Sequence, residues 1–265
     1  MRRVAWMTDL HLNFLPPKQA SAYFDSLNES EADTLLIGGD ISEAPRLIMD
    51  LSELAARVRK PVYFVLGNQD FYRSSIAGVR GQVTQLSSRM PNLTYLSSIE
   101  GVELSPGTAL VGHDGWGDAT LGSFDDAIKV TDDRLIEELA ACDRPALMEL
   151  LRRLGREAAE HIHRVLSYAV QHYDNICLLT HVPPFKEACW FEGANADERH
   201  LPRFACGSMG AVIHDIMSMY PRKQLTVLCG HTHSPGYAQT LPNVHVWTGG
   251  VDFGVPKVQR MFWVP

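Results

Sequence analysis

Five short, unbroken apolar runs recur along the chain: Val4 to Met7, Leu35 to Ile37, Val62 to Leu66, Ile176 to Leu179 and Leu225 to Leu228. Runs of this length between turn residues predict strands buried on both faces. Other stretches repeat their apolar residues every three or four positions, which predicts helices with one buried side. Leu47, Ile48, Leu51, Leu54 and Val58 mark one over 44–58, with Ser42 and Pro45 suited to its start. The longest covers 146–172, with Leu147, Leu150, Leu151, Leu154, Ala158, Ile162, Val165 and Ala169 on its apolar face. Two more are expected over 17–27 and 209–220, the second opened by Ser208. Strands alternating with helices imply an α/β fold with parallel strands and right-handed crossovers.

The pattern changes between Leu93 and Val111, where the short runs Leu93 to Leu96, Val102 to Leu104 and Ala109 to Val111 alternate with turn residues and suggest sheet strands or hairpins. At the end of the chain, Val244 to Trp247 and Val258 to Trp263 predict a closing antiparallel sheet. Two long irregular segments interrupt the periodicity. One runs from Gly112 to about Asp133; the other follows Pro184 and carries Trp190, Phe191, Arg199, His200 and Arg203. Unstructured stretches of that length in a compact chain read as functional loops. No fixed-period repeat, low-complexity tract or linker is present, so one domain over 1–265 is expected.

Composition narrows the function. A formal net charge of -7 argues against a broad basic face, which disfavours nucleic acid as a partner. It leaves small phosphorylated substrates open, because bound metal ions dominate their local field. Five cysteines without a C-x-x-C pair fit reduced thiols and a cytoplasmic location. No apolar stretch is long enough to span a membrane, and Val4 to Met7 is too short for a secretory signal after Arg2 and Arg3.

The chemistry gathers where the apolar runs end. Thr8-Asp9-Leu10-His11 follows the first, Gly38-Gly39-Asp40 the second and Gly67-Asn68-Gln69-Asp70 the third. The fourth leads into Thr180-His181 and the fifth into Gly230-His231-Thr232-His233. Each position has a plainer reading, as a helix cap, a turn residue or a hydrogen-bonded core histidine. Together Asp9, His11, Asp40, Asn68, His181, His231 and His233 form an oxygen and nitrogen ligand set without thiolate, suited to manganese, iron, zinc or cobalt. In open α/β sheets, ligands bind beyond the carboxyl ends of the strands, which is where these residues fall.

These blocks, in this order from residue 9 to residue 233, resemble the calcineurin-like metallophosphoesterase superfamily. The resemblance implies a four-layer sandwich of two mixed β-sheets flanked by helices, with a two-metal centre at the strand ends. It implies that Asp9, His11 and His233 hold one divalent ion, that Asn68, His181 and His231 hold the other, and that Asp40 bridges them. The implied cofactors are two manganese, iron or zinc ions, and the implied activity is hydrolysis of a small phosphate ester. A phosphodiester is slightly favoured, with a phosphomonoester or a non-catalytic metal-bound scaffold as alternatives. Asp40 is followed by Ile41-Ser42-Glu43 rather than Asp-Arg-Gly, which argues against the protein phosphatase branch.

One position departs from the family pattern. Members commonly carry a histidine after Gly-Asn, implicated in protonating the leaving group, whereas this chain has Gln69. Glutamine can hydrogen-bond an oxygen but is no acid near neutral pH. Asp70 is a candidate to orient the Gln69 amide. Either the substrate has a good leaving group, or another residue supplies the proton, with His113 and His200 as candidates, or turnover is weak or absent. Trp116, Trp190 and Phe191 are candidates to wall the pocket, with Arg199 or Arg203 to meet a second anionic group.

Overall fold

The computed structural model describes all 265 residues. The chain begins with β1 (Arg2–Met7), α1 (Pro17–Glu29), β2 (Thr34–Gly38), α2 (Ala44–Arg57), β3 (Val62–Val65), α3 (Ile76–Ser87), β4 (Leu93–Tyr95), β5 (Val102–Ser105) and β6 (Thr108–His113). Two one-turn helices, α4 (Asp132–Leu135) and α5 (Glu137–Ala140), precede the long α6 (Arg144–His172) and β7 (Asn175–Thr180). A small hairpin follows, β8 (Trp190–Phe191) with β9 (Ala194–Asn195), then α7 (Leu201–Phe204) and α8 (Gly207–Met219). The chain closes with β10 (Gln224–Cys229), β11 (Gly236–Leu241), β12 (Val244–Thr248) and β13 (Arg260–Val264).

Two large mixed sheets result, ordered β13-β1-β2-β3-β4 and β11-β12-β10-β7-β6-β5. Period-two alternation sorts the side chains of each buried strand into two cores. Ala5, Met7, Leu35 and Ile37 face one way and pack with Leu47, Leu51 and Leu54 of α2. Val4, Trp6 and Leu36 face the other way and meet Leu110, Cys177, Leu179 and Leu228 of the second sheet. On that sheet's far side, Ile176, Leu178 and Val227 pack with Ile162 and Val165 of α6 and Ile213 of α8. The layers are therefore helix, sheet, sheet, helix. The five predicted buried strands are β1, β2, β3, β7 and β10, and each is parallel to a sheet neighbour.

Three elements depart from expectation. Residues 76–87 form α3, held by buried Ile76, Val79 and Val83 and capped by Ser75, whose Oγ accepts from Gly78 N–H. Gly78 and Gly81 within it dilute the periodic signal. Gly236–Leu241 forms β11, an edge strand with no fully buried residue and hence little apolar patterning. The two closing runs do not share a sheet: β13 lies antiparallel to β1 in the first, while β12 runs parallel to β10 and antiparallel to β11 in the second. The choice of sheet depends on partners that strand pattern alone does not specify.

Candidate metal centre

The strands end in turns of unusual backbone. Asp9, His11, Asp40, His231 and His233 have φ of 53°, 44°, 49°, 72° and 57°, five of the eight non-glycine residues with positive φ. Left-handed backbone costs an L-residue about 1–2 kcal/mol, less for short polar side chains. Strain of this kind persists where the surroundings over-determine it, and it concentrates at functional sites. Here the turns reverse the chain at the strand ends and swing carboxylates and imidazoles inward. Glycines make room for them: a Cβ on Gly67 would overlap Asp40 Oδ1, and one on Gly230 would overlap Asp9 Oδ2.

Asp9, His11, Asp40 and His233 each offer a ligand atom, and these atoms all lie within 4.8 Å of one another. His233 Nε2 is 3.2 Å from His11 Nε2 and 3.3 Å from Asp9 Oδ1. A second group adjoins them. Asn68 Oδ1 lies 2.9 Å from His231 Nδ1 and 3.2 Å from His181 Nε2, and His181 Nε2 is 3.4 Å from Asp40 Oδ1. Asp40 is thus the side chain common to both groups.

Outer partners orient these ligand atoms. His181 Nδ1–H donates to the Gly38 carbonyl at 2.8 Å, and His231 Nε2–H to the Arg203 carbonyl at 3.0 Å, so each ring turns its other nitrogen toward Asn68. Asn68 Nδ2 donates to Asp132 Oδ1 at 2.9 Å, which also accepts the Tyr72 hydroxyl at 2.7 Å. That contact fixes the amide with its oxygen facing the two histidines. The sequence carries no signal for Asp132, which lies 64 residues from Asn68 at the start of α4 and belongs to no motif.

The electrostatics fit a divalent cation. Burial pushes the Asp9 carboxyl up, but a hydrogen bond from His233 and the nearby charges of His181, His233 and His11 outweigh it and hold Asp9 below the usual carboxylate range. Burial and the Asp9 charge push Asp40 well above that range. Its Oδ1 accepts from Gln69 N–H at 2.9 Å, while its Oδ2 is buried with no hydrogen-bond partner. Burial lowers His11 and His231 to about 4, which leaves neutral imidazoles with a free lone pair at neutral pH. Two buried carboxylates, an orphaned oxygen and crowded imidazole nitrogens are costly without a cation and complementary to one.

Asp70 does not orient Gln69. It is fully buried; Oδ1 accepts from Ile41 N–H at 2.7 Å and Ser42 N–H at 2.8 Å, and Oδ2 from Gly67 N–H at 2.7 Å. It ties the turn carrying Asp40 to the turn carrying Asn68. Asp114 supports the same region by accepting Leu66 N–H at 2.8 Å, with Tyr95, Ser97 and Arg80 around it. His113 is not brought to the centre. It shares a strand face with Ala109 and Val111, which packs on α6, and its ring lies 5.1 Å from that of His161. Burial lowers it to about 3, and its Nδ1 accepts from Gly115 N–H.

A cavity of 280 Å³ opens on the second ligand group, lined by Asn68, Gln69, Asp132, Phe191, His231 and His233 among others. Phe191 is therefore a wall, as expected. Trp116 is not: it is buried in the core against Phe71, with ring centroids 5.6 Å apart. Trp190 packs against Gly236 instead. Arg203 lines the cavity but is paired with Asp133; Arg199 is exposed and donates to the Asp126 carbonyl. His200 bonds Asp197 at 2.6 Å and packs its ring, tilted, against Phe191 and Phe204, and it does not line the cavity. On the opposite flank, Phe253 lies 4.8 Å from the His11 ring and 5.1 Å from that of His233, and Phe14 abuts it. Both phenylalanines are more than half exposed. A roomier cavity of 620 Å³, between the β5–β6 edge and α6, contains none of the strand-end residues.

The two mixed sheets form a four-layer sandwich, with acids and imidazoles converging at the strand ends in a candidate metal site. The profile of the calcineurin-like phosphoesterases matches residues 2–235, and the chain belongs to that family of phosphoester hydrolases. A search of curated proteins by sequence finds no match. Among solved structures, the fold is similar to phosphopantetheinyl hydrolase of Mycobacterium tuberculosis, with a TM-score of 0.66, 17% identity and coverage of 95% of this chain and 89% of that one. It is similar to a dimetal phosphatase of Danio rerio, with a TM-score of 0.59, 11% identity and coverage of 94% and 87%. A protein of Thermus thermophilus gives 0.56, 13%, 94% and 89%.

Proposed function

We propose that the protein is a two-metal phosphodiesterase. In this reading Asp9, His11 and His233 hold one ion, Asn68, His181 and His231 the other, and Asp40 bridges them. The observation that carries it is the position of Asp40, whose ligand atom belongs to the four-residue cluster and whose Oδ1 faces His181 of the second group. Divalent ions held by these residues would supply Lewis-acid chemistry, activating a water and neutralising charge on the phosphoryl oxygens.

The chain's own residues shape what reacts. Asn68, locked by Asp132, contributes a neutral ligand, so the seven ligands carry only two carboxylates and the loaded centre stays positive toward an anionic ester. The Gln69 amide lines the cavity and can donate a hydrogen bond to a phosphoryl or leaving oxygen. Neither histidine expected to act as the acid lines that cavity. The leaving group therefore departs with little protonation by a side chain, which selects esters whose leaving oxygen is weakly basic. The diester preference rests on two apolar flanks: Phe191 and Phe204 beside His231, and Phe14 and Phe253 beside His11 and His233. A phosphorus bearing two organic arms finds an aromatic surface on each side.

Metal analysis paired with a hydrolysis panel tests the proposal. Two manganese ions per chain are expected, with aryl diesters turned over faster than the matching aryl monoesters and alkyl esters slowest. A single ion per chain, or a preference for monoesters, overturns the corresponding part. Two bound ions without turnover of any ester overturn the enzymatic reading as a whole.

A further inference from the structure

We infer that the substrate carries a second, terminal phosphate, held by Lys129 and Arg134 in a cavity adjoining the metal centre; this rests on the phosphoesterase reading above. The 128–133 segment has a cavity on each side. Lys129, Val130 and Thr131 line both the cavity over Asn68 and His231 and a further one of 530 Å³. Arg134, Arg144 and Asp133 complete the charged lining of the second. Of these, Asp133 is paired with Arg203, and Arg144 donates to the carbonyls of Phe124 and Asp125.

Lys129 and Arg134 have no acidic partner within 4.0 Å. Lys129 and Arg134 are exposed side chains on this cavity's lining, and its single acid, Asp133, is already paired. Guanidinium and ammonium donors suit phosphate oxygens. Lys129, Val130 and Thr131 belong to both linings, so the two cavities adjoin at this segment. A carboxylate offers two oxygens and one charge; a terminal phosphate offers three oxygens and close to two charges, matching two unpaired cations.

The test uses two aryl phosphodiesters with the same scissile phosphorus, one with a retained arm ending in phosphate and the other in a hydroxyl, each with arms of several lengths. With the manganese-loaded protein, KM is expected to be about tenfold or more lower for the phosphate-ended ester at one arm length, the gain of one or two charge-assisted hydrogen bonds. Arg134→Ala and Lys129→Ala each collapse that ratio toward one, and Arg134→Lys retains part of it. Wild-type protein that does not discriminate at any arm length overturns the inference, as do alanine variants that keep the full ratio. Calorimetric titration with alkyl bisphosphates and alkyl monophosphates separates the two proposals. A preference for the bisphosphate that is lost in Arg134→Ala supports the subsite even if no ester is hydrolysed. Equal affinities refute the subsite even if hydrolysis is fast.

Discussion

Replacing Asp40 with asparagine exchanges one charged oxygen for an amide where the two ligand groups meet, and its effect differs in sign with and without metal. Ligand oxygens of Asp9 and Asp40 lie within 4.8 Å. At that outer limit two unit charges repel by about 3.5 kcal/mol at an effective dielectric of about 20. Burial and Asp9 raise the Asp40 carboxyl, and protonation relieves part of the repulsion. Asparagine keeps an oxygen for the Gln69 N–H and puts a donor in place of the orphaned Oδ2. For a chain of this size 1 kcal/mol moves Tm by roughly 2–4 °C, so the metal-free variant is expected to melt several degrees above the metal-free wild type. Manganese at about 100 times Kd stabilises the wild type by about 2.7 kcal/mol, and that shift shrinks to near zero in the variant. Thermal melts in chelator and across a manganese titration read both effects. A metal-free variant that melts below wild type, or one with an undiminished manganese shift, would refute the placement of Asp40.

Two further substitutions separate support from chemistry. Asp70→Ala strips the acceptor from three buried N–H groups, at about 1–3 kcal/mol each, so a markedly lower urea midpoint is expected, with Asp70→Asn intermediate. Wild-type stability with selectively reduced kcat would instead make Asp70 part of the chemistry. Gln69→His restores an ionisable group to the cavity and is expected to raise kcat for alkyl esters by about 10²-fold, with little change for aryl esters. No change on alkyl esters would show that a proton already reaches the leaving group by another route.

Much of the architecture is legible without coordinates because burial imposes period. The runs around Ala5, Leu36, Phe64, Leu178 and Val227 had to be strands buried on both faces, and the polar residues that break them mark where each strand leaves the core. α3 escaped because Gly78 and Gly81 thin its apolar stripe, and β11 because edge strands carry little of one. The aromatic assignments divided similarly: Phe191 and Trp116 look alike in sequence, yet one lines the cavity and the other fills the core.

The sequence by itself determined which side chains arrive at the strand ends, since each follows directly on a run that can only be buried. Tertiary structure alone decided their aim and their support. The left-handed backbone at Asp9, Asp40 and His231 is held by packing against local preference. Asp70 and Asp132 grip atoms 28 to 64 residues away, and no local pattern encodes such a contact. His113 shows the limit most directly. It stands at a strand end beside glycine like the proposed ligands, and the pleat of β6 alone turns it toward α6 and away from the centre.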